Sequence, residues 1–191
     1  MSARCAVLVG LGLAAVLALA GCTPGSGTPS SEGSSSPSAS TGSPSTTPGP
    51  AAATFTLPVD CSAIASTATL ATVFADVPSR PANGLTRPAP ASASKSLECS
   101  WFAGDTTGGD VLYYSTTPAA GQAYLAVMQA NGFTCAAALG GTRCDKTSPN
   151  SQYPVDTVET TFTRDDVWIY LSTTNVDASA LLPDMVATAW A

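Results

Sequence analysis

Polar and apolar positions alternate most clearly in Ser96–Phe102. Leu97, Cys99 and Trp101 fall on one face there, and Glu98, Ser100 and Phe102 on the other. A period of two predicts a strand with a buried Cys-x-Trp face. Gly104–Asp110 holds three glycines and reads as a turn, after which Val111–Thr116 returns as the second hairpin strand. Thr117-Pro118 is a helix start, with a capping hydroxyl and proline at the first helical position. That helix runs to Ala130 and stops at Asn131-Gly132, with Ala120, Tyr124, Val127 and Met128 as its core stripe. Upstream, Ile64, Leu70, Val73 and Phe74 suit one or two short helices within Ser62–Phe74, capped by Asp60 or Ser66. Asp76–Lys95 has four prolines, Asn83-Gly84 and no periodicity. It reads as one loop of about 20 residues, long for a compact domain.

The second half follows a similar order. Cys135–Leu139 reads as a short helix stopped by Gly140-Gly141, and Thr142–Lys146 carries Cys144 on a short strand. Val155–Thr163 and Val167–Thr173 form a hairpin around Arg164-Asp165-Asp166. Asp177–Trp190 is helical, interrupted at Pro183, which suits the first turn of a further helix. The pattern predicts an α+β domain: an antiparallel sheet of about five strands, helices mainly on one face, and two pseudo-repeated halves.

In the last strand Val167, Ile169 and Leu171 share one face, and Trp168 and Tyr170 the other. Tyr113 and Tyr114 lie on a neighbouring strand. Both faces are therefore apolar. Either the sheet is covered on both sides, or Tyr113, Tyr114, Trp168 and Tyr170 line a cleft for a ligand or partner. The expectation is that Val167, Ile169 and Leu171 are core. Trp168 is expected to be only partly buried, on the face away from most helices.

The chain before Thr54 has a different character. Met1–Arg4 is a short basic start, and Ala6–Ala20 is an apolar run too short to span a bilayer as a permanent helix. Thr23–Ala53 is dominated by Ser, Thr, Pro and Gly, with no aliphatic residue larger than Ala and no aromatic. Such a tract buries too little apolar surface to offset its ordering entropy and is expected to be a disordered spacer. The expected organisation is a signal peptide over 1–21, Cys22 with a linker to 53, and one extracytoplasmic domain over 54–191, its first boundary resting on the resemblance of residues 19–22 to a lipobox.

Six cysteines divide by location. Cys5 belongs to the signal and Cys22 directly follows it. Cys61, Cys99, Cys135 and Cys144 remain, an even number in an exported domain, which reads as two disulfides. Pairing neighbours in sequence closes the shorter loops and gives Cys61–Cys99 and Cys135–Cys144. Zinc is the alternative, disfavoured by the lack of any C-x-x-C spacing.

Composition narrows the chemistry. The chain has no histidine, which removes Ser-His-Asp and Cys-His catalysis and every His-ligated metal site. Only 10% of residues are charged and the net charge is −6, against the basic patch that nucleic-acid binding needs. Asp165-Asp166, Asp105 and Asp110 read as turn chemistry rather than a cation site. Glu98 and Glu159 lie on strands with nothing to bring them to one pocket, as a two-carboxylate hydrolase would require. No cofactor or metal is expected.

Leu19-Ala20-Gly21-Cys22 resembles the lipobox of bacterial lipoproteins. That resemblance implies diacylglyceryl transfer to the Cys22 thiol and cleavage before Cys22. With the Ser/Thr/Pro linker, the early Cys61, the Cys99-Ser100-Trp101 strand and Gly140-Gly141-Thr142-Arg143-Cys144, the layout resembles cell-envelope lipoproteins of high-GC Gram-positive bacteria (actinobacteria). It implies a lipid-anchored location on the extracytoplasmic face of the cell membrane and carries over no catalytic residue. Three functions stay open: a non-catalytic ligand-binding or sensing module, an envelope protein or cell-wall polymer interaction module without a small-molecule site, and, more distantly, a His-independent hydrolase.

Overall fold

The computed structural model describes residues 54–81 and 84–191. The expected signal peptide, Cys22 and the linker lie outside the described residues. The elements are α1 (Thr67–Val73), β1 (Ser79–Arg80), β2 (Ser94–Ala103), β3 (Thr107–Ser115), α2 (Pro118–Ala130), β4 (Thr134–Ala138), β5 (Gly141–Pro149), β6 (Asp156–Arg164), β7 (Val167–Thr174) and α3 (Leu181–Ala189). All strands join one antiparallel sheet in the order β1-β2-β3-β7-β6-β5-β4.

The α+β class stands, but the sheet has seven strands rather than about five. The first addition is β1, two residues inside the proline-rich loop, paired with Trp101 and Ser100 of β2. The second is β4, where the Ala-rich stretch Cys135–Leu139 is strand instead of helix. Alanine's helix preference is a weak prior that tertiary context overrides. Here Leu139 and Gly140 both take positive φ, 53° and 76°, the geometry of a two-residue hairpin turn. Cys135 then stands opposite Cys144 on β5 and is bonded to it. Because Cys135 lies on a strand, the two halves of the domain do not match element by element.

The caps behave as the sequence indicates. The Ser66 hydroxyl accepts from Thr69 N–H at the start of α1, and the Thr117 hydroxyl accepts from Ala120 N–H at the start of α2. The helix expected over Asp177–Trp190 is shorter and uninterrupted: Asp177–Ala180 is not helical, and Pro183 sits within the first turn of α3, where its missing N–H costs no helical bond. The glycine-rich stretch is tighter than a turn over Gly104–Asp110: β3 begins at Thr107, so Gly108 and Gly109 are strand residues. A Cβ on Gly108 would meet the Trp101 carbonyl at 2.1 Å, which fixes glycine there.

Strand β7 explains the two-sided core. Val167, Ile169 and Leu171 pack with Val111, Tyr113, Phe162 and residues of α1 and α3 on one face. Trp168 and Tyr170 pack with Leu112, Tyr114 and Met128 of α2 on the other. Helices therefore cover both faces, not mainly one. Trp168 is 0% exposed, against the expectation of partial burial. A continuous apolar strand is the mark of a sheet buried on both sides. The stripe of α2 also differs from the expected one: Gly121 and Met128 are buried, Tyr124 and Leu125 half-buried, and Val127 exposed.

Both disulfides pair as the shorter-loop argument indicates. Cys61 joins Cys99 with a Cα separation of 5.5 Å, and Cys135 joins Cys144 at 4.0 Å.

Candidate functional site

The four aromatic candidates are buried in the two cores rather than lining an open cleft. Tyr113 is buried in the core under α1 and α3, and Tyr114 and Trp168 are buried in the other. Trp168 is held by an edge-on contact with Tyr124 at 5.4 Å and by donation of its indole N–H to the Pro88 carbonyl at 3.0 Å. Tyr170 reaches a polar region, where its hydroxyl donates to Glu159. The carboxylates resolve as turn and strand chemistry. Asp165 takes positive φ in its two-residue turn and accepts from the Trp190 indole. Glu98 accepts from Leu85 N–H and pairs with Lys95. Glu98 and Glu159 stand on β2 and β6, with β3 and β7 between them. Among the described residues no group of three or more metal-ligating side chains comes together.

A cavity of about 210 Å³ opens on the α3 face of the sheet. It exists because the chain leaving β7 lifts off the sheet before α3 begins. Asn175 takes positive φ, the Asp177 carboxylate accepts from Ser179 N–H at 3.0 Å, and Leu181 N–H donates to the Ala178 carbonyl. That arch stands over β5, β6 and β7. Leu171, Leu182, Val158 and Val176 form apolar walls, and Thr160, Thr173 and Arg143 supply polar groups. Thr160 lies opposite Leu171 and Val158 opposite Thr173, so these side chains share one face by register. Asp145 orients the polar end: its oxygens lie 2.9 and 2.8 Å from Arg143 Nε, and the Thr160 hydroxyl donates to it at 2.7 Å. Hydrogen bonds from Ser179, first its backbone N–H and then its side chain, hold Asp177 below the usual carboxylate range. A mostly apolar concavity with a few oriented polar groups is the form of a small-molecule site, and this one is smaller than the usual drug-sized pocket.

The opposite face carries a polar network beyond the reach of α2. Asp110, only 2% exposed, accepts from Ser100 Oγ at 2.9 Å and from Arg87 Nη2 at 2.7 Å. Arg87 also lies 5.8 Å from the centre of the Tyr170 ring, whose hydroxyl continues to Glu159. Burial, and then the hydrogen bond to Glu159, push the Tyr170 phenol far above its ordinary range. Sequence reasoning missed this network. Asp110 reads as a turn residue beside glycines, and Arg87 sits in a segment without periodicity. The available signal was parity, because Asp110 falls on the same strand face as Leu112 and Tyr114.

Asp110 is engaged on both oxygens, which leaves Ser100 without a free base beside it. The Tyr170 phenol is held protonated at neutral pH. No protein-family model, no curated protein and no solved structure matches this chain.

Proposed function

We propose that the chain is an exported lipoprotein, anchored through Cys22 on the extracytoplasmic face of the membrane, whose folded domain binds a small ligand without turning it over. The cavity under the Val176–Leu182 arch carries this reading, because its apolar walls converge on an oriented Arg143–Asp145–Thr160 group. The disulfides suit an oxidising compartment, and a lipid on Cys22 with a long spacer would hold the domain clear of the bilayer.

The test uses Val158→Trp, which fills the cavity from a strand position that is already 38% exposed. Fractionated small molecules from culture medium should raise the melting temperature of the wild-type chain and leave the variant unmoved. Equal shifts in both, or none in the wild type, would defeat the proposal. The anchor is tested by Cys22→Ser, which should leave the membrane fraction or remain unprocessed.

A second reading, an envelope interaction module, is favoured by β4. This edge strand carries neither charge nor proline, the usual guards against strand addition. Pull-down of a partner lost on Ala137→Pro would favour it.

A further inference from the structure

A second concavity, of about 230 Å³, lies on the α2 face beside the Asp110 network, lined by Arg80, Leu85, Arg87, Ser100, Phe102 and Asp110. Its position follows from the sheet. Arg80 of β1 lies opposite Ser100, and Ser100 lies opposite Asp110, so the three stand in one row across β1, β2 and β3. The segment carrying Leu85 and Arg87 closes the row from above, tied down by Leu85 N–H to Glu98 and by the Arg87–Asp110 pair.

The charges in this lining do not balance. Asp110 is its single carboxylate among the described residues, and both oxygens are taken, one by Arg87 and one by Ser100. Within the lining two guanidiniums face one carboxylate, and Glu159 acts on Arg87 from outside it. Arg80 makes no ion pair among the described residues. Arg87 Nε is buried and has no hydrogen-bond partner among the described residues. A buried donor left without an acceptor is costly, and a guanidinium fork matches a carboxylate closely. The nearby Glu98 is paired with Lys95, and Glu159, which receives the Tyr170 hydroxyl, acts on Arg87, so the charge without a partner among the described residues is that of Arg80. The rest of the lining is apolar: Leu85 and the Phe102 ring.

We propose that this cavity is a second binding site, for a small organic monocarboxylate with a compact apolar body. The carboxylate sits between Arg80 and Arg87 and accepts from their unspent N–H groups. The apolar body lies against Leu85 and Phe102. The site is on the opposite face of the sheet from the cavity under the Val176–Leu182 arch, so the two bind independently.

The experiment titrates the intact chain with benzoate and, separately, with benzamide, which has the same shape and no charge. Backbone amide shifts read both affinity and place. Benzoate should bind at least tenfold more tightly than benzamide, with shifts centred on Ser100, Phe102 and Leu85. Arg80→Gln should weaken benzoate several-fold and leave benzamide unchanged. Arg80 is exposed, so this variant folds even if Arg87→Gln, which strands Asp110, does not. Equal affinity for the two probes, benzoate binding untouched by Arg80→Gln, or shifts confined to Val176–Leu182 would each overturn the assignment.

Discussion

The indole of Trp168 donates to the main-chain oxygen of Pro88, and that bond ties the centre of the sheet to a segment 80 residues away in sequence. It shows why the aromatic face of β7 is core. The proline-rich segment and α2 together cover Trp168, which makes the same strand apolar on both faces. Trp168→Ala should cost about 3–5 kcal/mol, as large aromatic truncations in cores do. Thermal melts beside Ile169→Ala should place the two variants at comparable or inverted order, with Trp168→Ala as low or lower. A Trp168→Ala chain that melts like the parent would mean that the segment around Pro88 leaves this face open.

The two disulfides should contribute unequally. Cys61–Cys99 spans 38 residues and Cys135–Cys144 spans 9. Chain-entropy arithmetic gives about 4 and about 3 kcal/mol. Urea unfolding of Cys61→Ala/Cys99→Ala and Cys135→Ala/Cys144→Ala should show the larger loss in the first pair. The reverse order would locate residual denatured structure around Cys61–Cys99, or strain relieved at that bridge.

Local chemistry was legible, and long-range covering was not. The period of two in Ser96–Phe102 and Val167–Thr173, the Thr117-Pro118 start and the Asn131-Gly132 stop each depend on neighbours in sequence, and each stands in the fold. Cys135–Leu139 was misread because an alanine run has no period, and its strand state is imposed by Leu139-Gly140 and a bond to Cys144. The covering of Trp168 depends on Pro88, and the Asp110 network depends on Arg87, 23 residues away. No periodicity announces a segment that packs through scattered side chains and main-chain groups. The arch over the α3-face cavity has the same character: its shape comes from Asn175 and Asp177 turning the chain, a choice of conformation rather than of composition.

Gly121 is a packing position disguised as a weak helix residue. Replacing an interior helical glycine with alanine ordinarily gains about 1 kcal/mol. Here the new Cβ would lie 2.6 Å from Thr163 Oγ1, and that hydroxyl is held by its bond to the Val167 carbonyl at 3.1 Å. Overpacking of this kind costs roughly 1–3 kcal/mol, so Gly121→Ala should be neutral to destabilising. Adding Thr163→Ala should recover stability beyond the sum of the single changes. Melts of the four corners measure that coupling, and additive corners would show that α2 does not rest on Thr163.

Two buried tyrosines should respond in opposite senses to loss of their hydroxyls. The Tyr113 hydroxyl is buried with no hydrogen-bond partner among the described residues, in a core that includes Phe55 and Trp190. Tyr113→Phe removes an unsatisfied polar atom and should raise stability at neutral pH by about 1 kcal/mol. Tyr170→Phe instead takes away the donor to Glu159 and should lower stability by a similar amount or more. Alkaline pH acts on both in the same sense, because burial raises Tyr170 as well. Burial pushes Tyr113 far above its ordinary pKa of 10.0. A group whose pKa is higher folded than unfolded contributes its full stability below the unfolded value and loses it as pH rises past that point. The wild-type chain should therefore hold its stability up to about pH 10 and lose it above. Tyr113→Phe should flatten that alkaline fall. Urea unfolding at neutral and alkaline pH reads both effects, and equal signs for the two variants at neutral pH would show that the Tyr113 hydroxyl has a partner after all.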